Sequence, residues 1–452
     1  MANQITIEKQ VQAEEANESK HPRKLTLMEA YVMAVGGMIG GGIFSVLGLV
    51  LEISGPWASL SFLIAGVLTF ITGLSYAGLY EQQKVPGGSV AFIKHATGSD
   101  KLAGHCGWAL LLGYIFTNGL YAYTFGHYFA HVLAAPEWVA PVAAISITCF
   151  IIAVNLVGVG ESGMTEIITV WGKLLVLGAL GLAGLMHFDM VKLTSIGEHS
   201  PWTALLGAAI IYVAFEGFQL LTYDTEDMEN PQQNLRKAMM PSIITSTVIY
   251  VVVALGALML TSVSTLLSQK EVALAIAGKQ AFGNPGLWIV TVGALFSAAS
   301  AINATLFASA RLLVLLAKMN QVPRWLTHQS EDGIPRRAVT IIGIAGGIFA
   351  VVSSIEQIVS FASFTFLAVF SIVNVLYALE AKTKRAKITA CVAAFFLSAA
   401  LLTAASWLAL YRMNELMTAI GIAAIITVGR IWYLKACPEA DDAGFKLRAN
   451  AQ

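Results

Sequence analysis

Apolar residues run through this chain in repeated stretches of about 20, the length an α-helix needs to cross bilayer hydrocarbon. A soluble chain of 452 residues would instead alternate amphipathic elements with polar loops, so the pattern predicts an all-α membrane protein. About twelve transmembrane helices are legible, near residues 27–54, 56–81, 104–133, 139–157, 164–187, 202–228, 238–262, 285–317, 338–354, 356–379, 387–408 and 414–434. The ends, 1–24 and 436–452, are polar and charged, with no apolar run of the kind that makes a secretory signal, and they read as disordered cytoplasmic tails. Between spans, 82–103 carries Pro86, Gly87 and Gly88 ahead of a short amphipathic stretch, and 263–284 is expected to supply a short helix over the outer mouth.

Two spans are broken near their middle by glycine: the first at GGMIGGGIF, residues 36–44, and the sixth at AFEGFQ, residues 214–219. Backbone groups freed inside a bilayer cost several kcal/mol each unless something satisfies them, so such breaks persist where they line a cavity. Each broken span opens a set of five. Because five is odd, the second set enters from the opposite face, which predicts a five-plus-five inverted repeat over 25–187 and 202–380, with spans 11 and 12 (386–435) packed at the periphery.

Composition agrees, with 57% hydrophobic residues and only 12% charged, about half the charged share of a soluble domain. Net charge is zero and carries no information about partners. The distribution of the 27 Lys and Arg residues does: with both termini cytoplasmic, only Lys192, Lys270, Lys279 and Arg412 fall outside and Lys173 within a span. That asymmetry obeys the positive-inside rule and predicts a multi-pass protein of the cell inner (cytoplasmic) membrane, with both termini cytoplasmic. Cys106, Cys149, Cys391 and Cys437 lie far apart and suggest neither a disulfide framework nor a metal site.

A half-helix that begins inside the membrane presents free N–H groups and a positive dipole end, which suits a carboxylate. Here those groups belong to Gly41 and Gly42, and the facing carbonyls of Met38, Val213 and Glu216 are free acceptors suited to an ammonium. Together they describe an α-amino acid. Gly36 with Gly40 and Gly37 with Gly41 also fit the small-xxx-small pattern of close helix packing, but five glycines between 36 and 42 exceed what packing alone requires.

These same residues carry a family resemblance. GGMIGGGIF resembles the G-x-x-I-G-x-G-I-F signature of the amino acid–polyamine–organocation (APC) superfamily, and VAFEGFQLLTYDTEDMENPQQNLRKA (213–238) resembles its sixth helix and following loop. SAASAINATLFASARLL (297–313) and VPGGSVAFIKHATG are similar to further family segments, so the resemblance covers about 25–435. It implies uptake or exchange of L-amino acids by alternating access. The substrate would be held by Met38, Gly40, Gly41, Gly42, Val213, Glu216, Gly217 and Phe218, with Phe215 as an aromatic gate. Two departures are visible: Gly41 stands where relatives often carry a hydroxyl or small side chain, and Gln219 where many carry an acid.

Lys173 lies about ten residues into span 5, roughly 14 Å of rise, and an intramembrane charge is a functional-site candidate by default. The resemblance places it in what is a sodium site in sodium-coupled relatives, near Gly36, Ser297 and Ser300. This implies a sodium-independent carrier, with the lysine acting as a proton carrier, as a fixed charge, or merely snorkelling. Glu216 reads as a second protonation site, a counter-ion for cationic substrates, or a cap on free backbone N–H groups. Tyr114, Asn118 and Tyr121 share a face that, with Phe218 and Asn303, would line a side-chain pocket. His127 and His131 have metal-compatible spacing but no third ligand, so no metal and no cofactor are expected. No GxxxxGKS/T loop, HExxH or paired intramembrane aspartate is present, which disfavours a nucleotide-driven pump or an enzyme. The expected partners are an amino acid substrate, protons and the lipid bilayer, with no nucleic acid. The reading is proton-coupled symport, with an obligate exchanger or a polyamine or cationic amino acid carrier as the alternative.

Overall fold

A computed structural model describes residues 24–157, 163–191, 200–328 and 334–436. The predicted tails, apart from Lys24 and Ala436, lie outside the described residues, as does Lys192. Among the described residues the chain is helical, with one isolated β-bridge between Leu25 and Met228. Among the described residues, seven helical stretches are long and apolar enough to cross a membrane, one of them the continuous run Leu27–Gln83. The first span divides into α1 (Leu27–Met38) and α2 (Gly42–Ser54), followed by α3 (Ala58–Gln83), the short α4 (Gly88–Thr97), α5 (Asp100–Val132), α6 (Val139–Val157) and α7 (Gly163–Leu185). The sixth span is a helix, α8 (Thr203–Ile210), that gives way to 3-10 turns at Tyr212–Phe215 and Phe218–Thr222. Then come α9 (Pro231–Leu260), α10 (Val263–Ser268), α11 (Ala273–Lys318), α12 (Arg336–Val352), α13 (Ile355–Glu380), α14 (Lys384–Tyr411) and α15 (Met413–Ala436).

Local chemistry sets several of these ends. Thr26 accepts from the Glu29 N–H at 3.3 Å while the Glu29 carboxylate accepts from the Thr26 N–H at 2.9 Å, a capping box that starts α1. Ser354 and Gln357 form another at α13. The segment expected to hold one short helix over the outer mouth is more ordered than that: α10 and a 3-10 turn lead into α11, which kinks at Gly283 (φ 67°) ahead of Pro285.

In α2, every residue but Glu52 is buried, so the half-helix is enclosed on all sides by protein. It sits in a bundle where α5 runs beside α6, α11, α12 and α13, and α9 beside α1, α3 and α7. The outer helices turn apolar side chains such as Phe150 and Phe395 outward. Where α7 crosses α9 the backbones meet through Gly181, Gly184 and Gly256, the small residues that close packing in lipid requires.

Polar contacts gather at two opposite ends of the bundle. One end joins Arg311 to Asp224 and Asp227, Arg236 to Glu81, Gln83 to Glu380 and Arg430 to Gln321. There Leu25 also donates its N–H to the Asp227 carbonyl (2.6 Å) and accepts from the Glu229 N–H (2.9 Å). At the other end Lys270 pairs with Glu52 (3.3 Å) and Glu356, and Arg412 pairs with Glu52 (2.7 Å).

Candidate functional site

The two breaks cross at the centre of the bundle. Gly217 has φ 120°, a conformation L side chains rarely adopt, and a Cβ there would stand 2.6 Å from the Gly37 carbonyl carbon and the Met38 nitrogen. Backbone therefore meets backbone between the first and sixth spans. The other glycines of the first break are filled against as well: Gly40 by Ala301, Gly41 by the Tyr121 ring, and Gly42 by Ala214 and the Tyr250 hydroxyl. Close packing is thus a larger part of the glycine cluster than the sequence implied.

Nearly every carbonyl freed at the first break has a donor from another helix. Lys173 donates to Gly36 at 3.3 Å, the Tyr250 hydroxyl to Met38, and Ser297 to Ile39 (2.8 Å) and Gly40. Ser45, which also meets Thr124, donates to Gly41 from the turn above. In the second break Ser363 accepts from the Val213 N–H (2.9 Å) and donates to the Ile210 carbonyl (2.6 Å). The Glu216 N–H donates to the Val213 carbonyl at 3.0 Å, and Tyr250 donates to Ala214 at 2.9 Å. Gln219 closes the turn, accepting from the Gly217 N–H (3.1 Å) and donating to the Tyr114 hydroxyl (3.2 Å). This corrects one expectation: the Met38 and Val213 carbonyls are engaged rather than free, leaving each a single spare lone pair.

Tyr250 and Ser363 do not stand out in the sequence, where a lone hydroxyl in an apolar span has no periodicity to mark it. Tyr250 bridges both breaks. Tyr250→Phe is expected to lower stability by about 1–3 kcal/mol by leaving buried carbonyls without a donor. The measurement is the thermal unfolding midpoint of the detergent-purified protein; a midpoint equal to wild type would show that the carbonyls do not depend on this hydroxyl.

Among the described residues, the breaks leave backbone donors on α2 and the Glu216 side chain without partners. The first turn of α2, capped by Gly41 with no side-chain bond, offers the N–H groups of Gly42, Ile43 and Phe44. In the sixth-span break, Glu216 is 1% exposed, and neither carboxylate oxygen has a hydrogen-bond partner among the described residues. Aromatic clusters close the site on both sides: Phe215 lies edge-on to Tyr250 (5.1 Å between centroids), which meets Phe62 (5.3 Å), while Phe218 meets Tyr76 and Phe370 (5.4 Å each).

Lys173 is 3% exposed and reaches the break from α7. Beside it a groove of about 420 Å³ runs between α7 and α11, floored by Lys173 and Ser297. Ser297 makes the contact to the break, while Ser300 is half-buried three residues further on. Asn118 donates to the Tyr114 carbonyl (3.1 Å) and stands against Gly346 of α12. Asn303 does not face the breaks. Ala301 takes that face, and the Asn303 side chain accepts from Asn155 of α6 at 2.6 Å. His127 turns back to the Tyr123 carbonyl, and no cluster of metal ligands occurs among the described residues.

Residues 25–429, which contain both breaks, Lys173 and Ser297, match the amino acid permease family. The chain belongs to that family. This agrees with the APC resemblance of its motifs, and it makes the permease a multi-pass membrane transporter, not an enzyme. The permease is similar to an uncharacterised protein of Methanocaldococcus jannaschii, 31% identical over 356 residues, covering 77% of this chain and 80% of that one. It is also similar to the serine/threonine exchanger SteT of Bacillus subtilis, at 27% identity over 67% of this chain and 69% of the other. A third relative is the inner membrane transport protein YbaT of Escherichia coli, 26% identical over 80% of this chain and 84% of its own.

Proposed function

We propose that the permease carries L-amino acids across the cytoplasmic membrane by alternating access, without sodium and by proton symport. Lys173 is the coupling group, and the N–H groups opening α2 hold the substrate carboxylate. The observation that carries the reading is the bond from the buried Lys173 ammonium to the Gly36 carbonyl, in the last turn before the break. It ties a titratable group to the backbone that must change for the substrate to enter or leave. Protonated, Lys173 holds that carbonyl firmly; neutral, it holds it less well. Twelve spans in a five-plus-five inverted repeat give the two bundles that rock about the site. The end of the bundle that carries Leu25, Arg236 and Arg311 lies in the cytoplasm, supported by its wealth of basic residues against Lys270 and Arg412 at the other.

Uptake of a labelled mixture of the twenty standard L-amino acids into sodium-free proteoliposomes tests this. Accumulation is expected only with an inwardly directed proton gradient, whereas equal accumulation without the gradient would overturn symport. A second reading, obligate exchange, is favoured by the similarity to a protein named as a serine/threonine exchanger. It expects label to enter only vesicles preloaded with unlabelled amino acids.

A further inference from the structure

The acceptors at the two breaks are unevenly committed. Of the three carbonyls expected to receive a substrate ammonium, Met38 already accepts from Tyr250 and Val213 from the Glu216 N–H, and the third belongs to Glu216 itself. Ala214, next in line, shares that one Tyr250 hydrogen with Met38. The Glu216 side chain is the opposite case. It projects from the extended residue between the two 3-10 turns (φ −57°, ψ 150°), is 1% exposed, and has no hydrogen-bond partner on either oxygen among the described residues. Tyr121 is its neighbour from α5, and the ring of that tyrosine lies on Gly41 at the start of α2. A cap on free backbone N–H groups, one of the roles open from the sequence, is therefore not the role this carboxyl plays. A buried carboxylate left without a partner is costly, and the cost disappears when a cation is brought to it.

We infer that the Glu216 carboxylate receives the α-ammonium of the substrate, and that the permease thereby selects amino acids over acids that lack the amino group. The substrate then spans the site as a zwitterion, its carboxylate on the Gly42, Ile43 and Phe44 N–H groups and its ammonium on Glu216. This assignment rests on the permease being an amino acid transporter, and it names the group that makes it one. A 2-hydroxy acid of the same shape brings no cation and leaves the carboxylate buried and unpaired, so a site built this way rejects it strongly.

Wild type and Glu216→Gln are compared in proteoliposomes, each offered the labelled standard L-amino acids and, as competitors, the 2-hydroxy analogues of those that wild type accumulates. The KM for amino acids is expected to rise roughly 10- to 100-fold in Glu216→Gln, the worth of a hydrogen bond to a charged group. The preference for amino over hydroxy acid should fall by a similar factor, a readout that a purely structural glutamate would not move. An unchanged preference overturns the inference while leaving amino acid transport standing; a wild type that accumulates no amino acid overturns the transport reading itself. Should Glu216→Gln fail to fold, thermal stabilisation of the purified wild type decides the point. The amino acids are expected to raise the unfolding midpoint and their hydroxy analogues to leave it unmoved, and an equal rise with both would refute the assignment.

Discussion

Lys173→Ala is expected to abolish net amino acid uptake, reducing it to the level of empty vesicles even under a full inward proton gradient. The expectation follows from position. Lys173 is 3% exposed, in a span, with its ammonium bonded to the Gly36 carbonyl at 3.3 Å, so its loss removes both the charge and a donor to the first break. An unsatisfied buried carbonyl costs about 1–3 kcal/mol, so the unfolding midpoint must be measured beside uptake to separate coupling from damage. Lys173→Arg refines the test, because a guanidinium keeps the charge and cannot release its proton in a protein. The neighbouring groove, where a Cβ added at Gly172 would meet nothing within 4 Å, has room for the larger head. Exchange without net uptake in Lys173→Arg is the expected outcome for a proton carrier. Unaltered gradient-driven uptake in either variant would remove Lys173 from the coupling mechanism.

Gly217→Ala is expected to be strongly destabilising. The residue sits at φ 120°, and the new Cβ would lie 2.6 Å from two backbone atoms of Gly37 and Met38, which cannot rotate away as a side chain could. Backbone strain and overpacking together are worth about 2–5 kcal/mol. Gly172→Ala is the matched control, since its added methyl meets open space in a helix and should be neutral or stabilising by up to about 1 kcal/mol. Unfolding midpoints and the monodisperse yield after purification give both values. A Gly217→Ala protein as stable as wild type would mean that the two breaks are not held in backbone contact.

The positions of the breaks, and the family they belong to, are legible because glycine in an apolar span is a strong local signal. A lysine in such a span is another, since it must find a polar partner, and Gly36 and Ser297 both lie in its neighbourhood. What is not legible is which freed groups remain free. Met38 and Val213 look available in the sequence because their partners are a hydroxyl on α9 and a turn whose geometry depends on Gly217. Asn303 suits the pocket by its chemistry, but the rotation of α11 is set by Ala301 packing on Gly40, and residues two apart on a helix face away from each other. Pattern shows which atoms need partners, and the packing of distant helices decides which of them get one.

Half-helix α1 is fastened to the 217–229 segment at two places: at one end through the Leu25 bridge to Asp227 and Glu229, and near the other through the Gly37–Gly217 contact. A rod attached at two points cannot pivot about either one alone. Any movement that opens this end of the bundle must therefore carry α1 and the 217–229 segment together as one lever, with the bending confined to Ile39–Gly41 and Glu216. Rearrangement at one break is then mechanically a rearrangement at both.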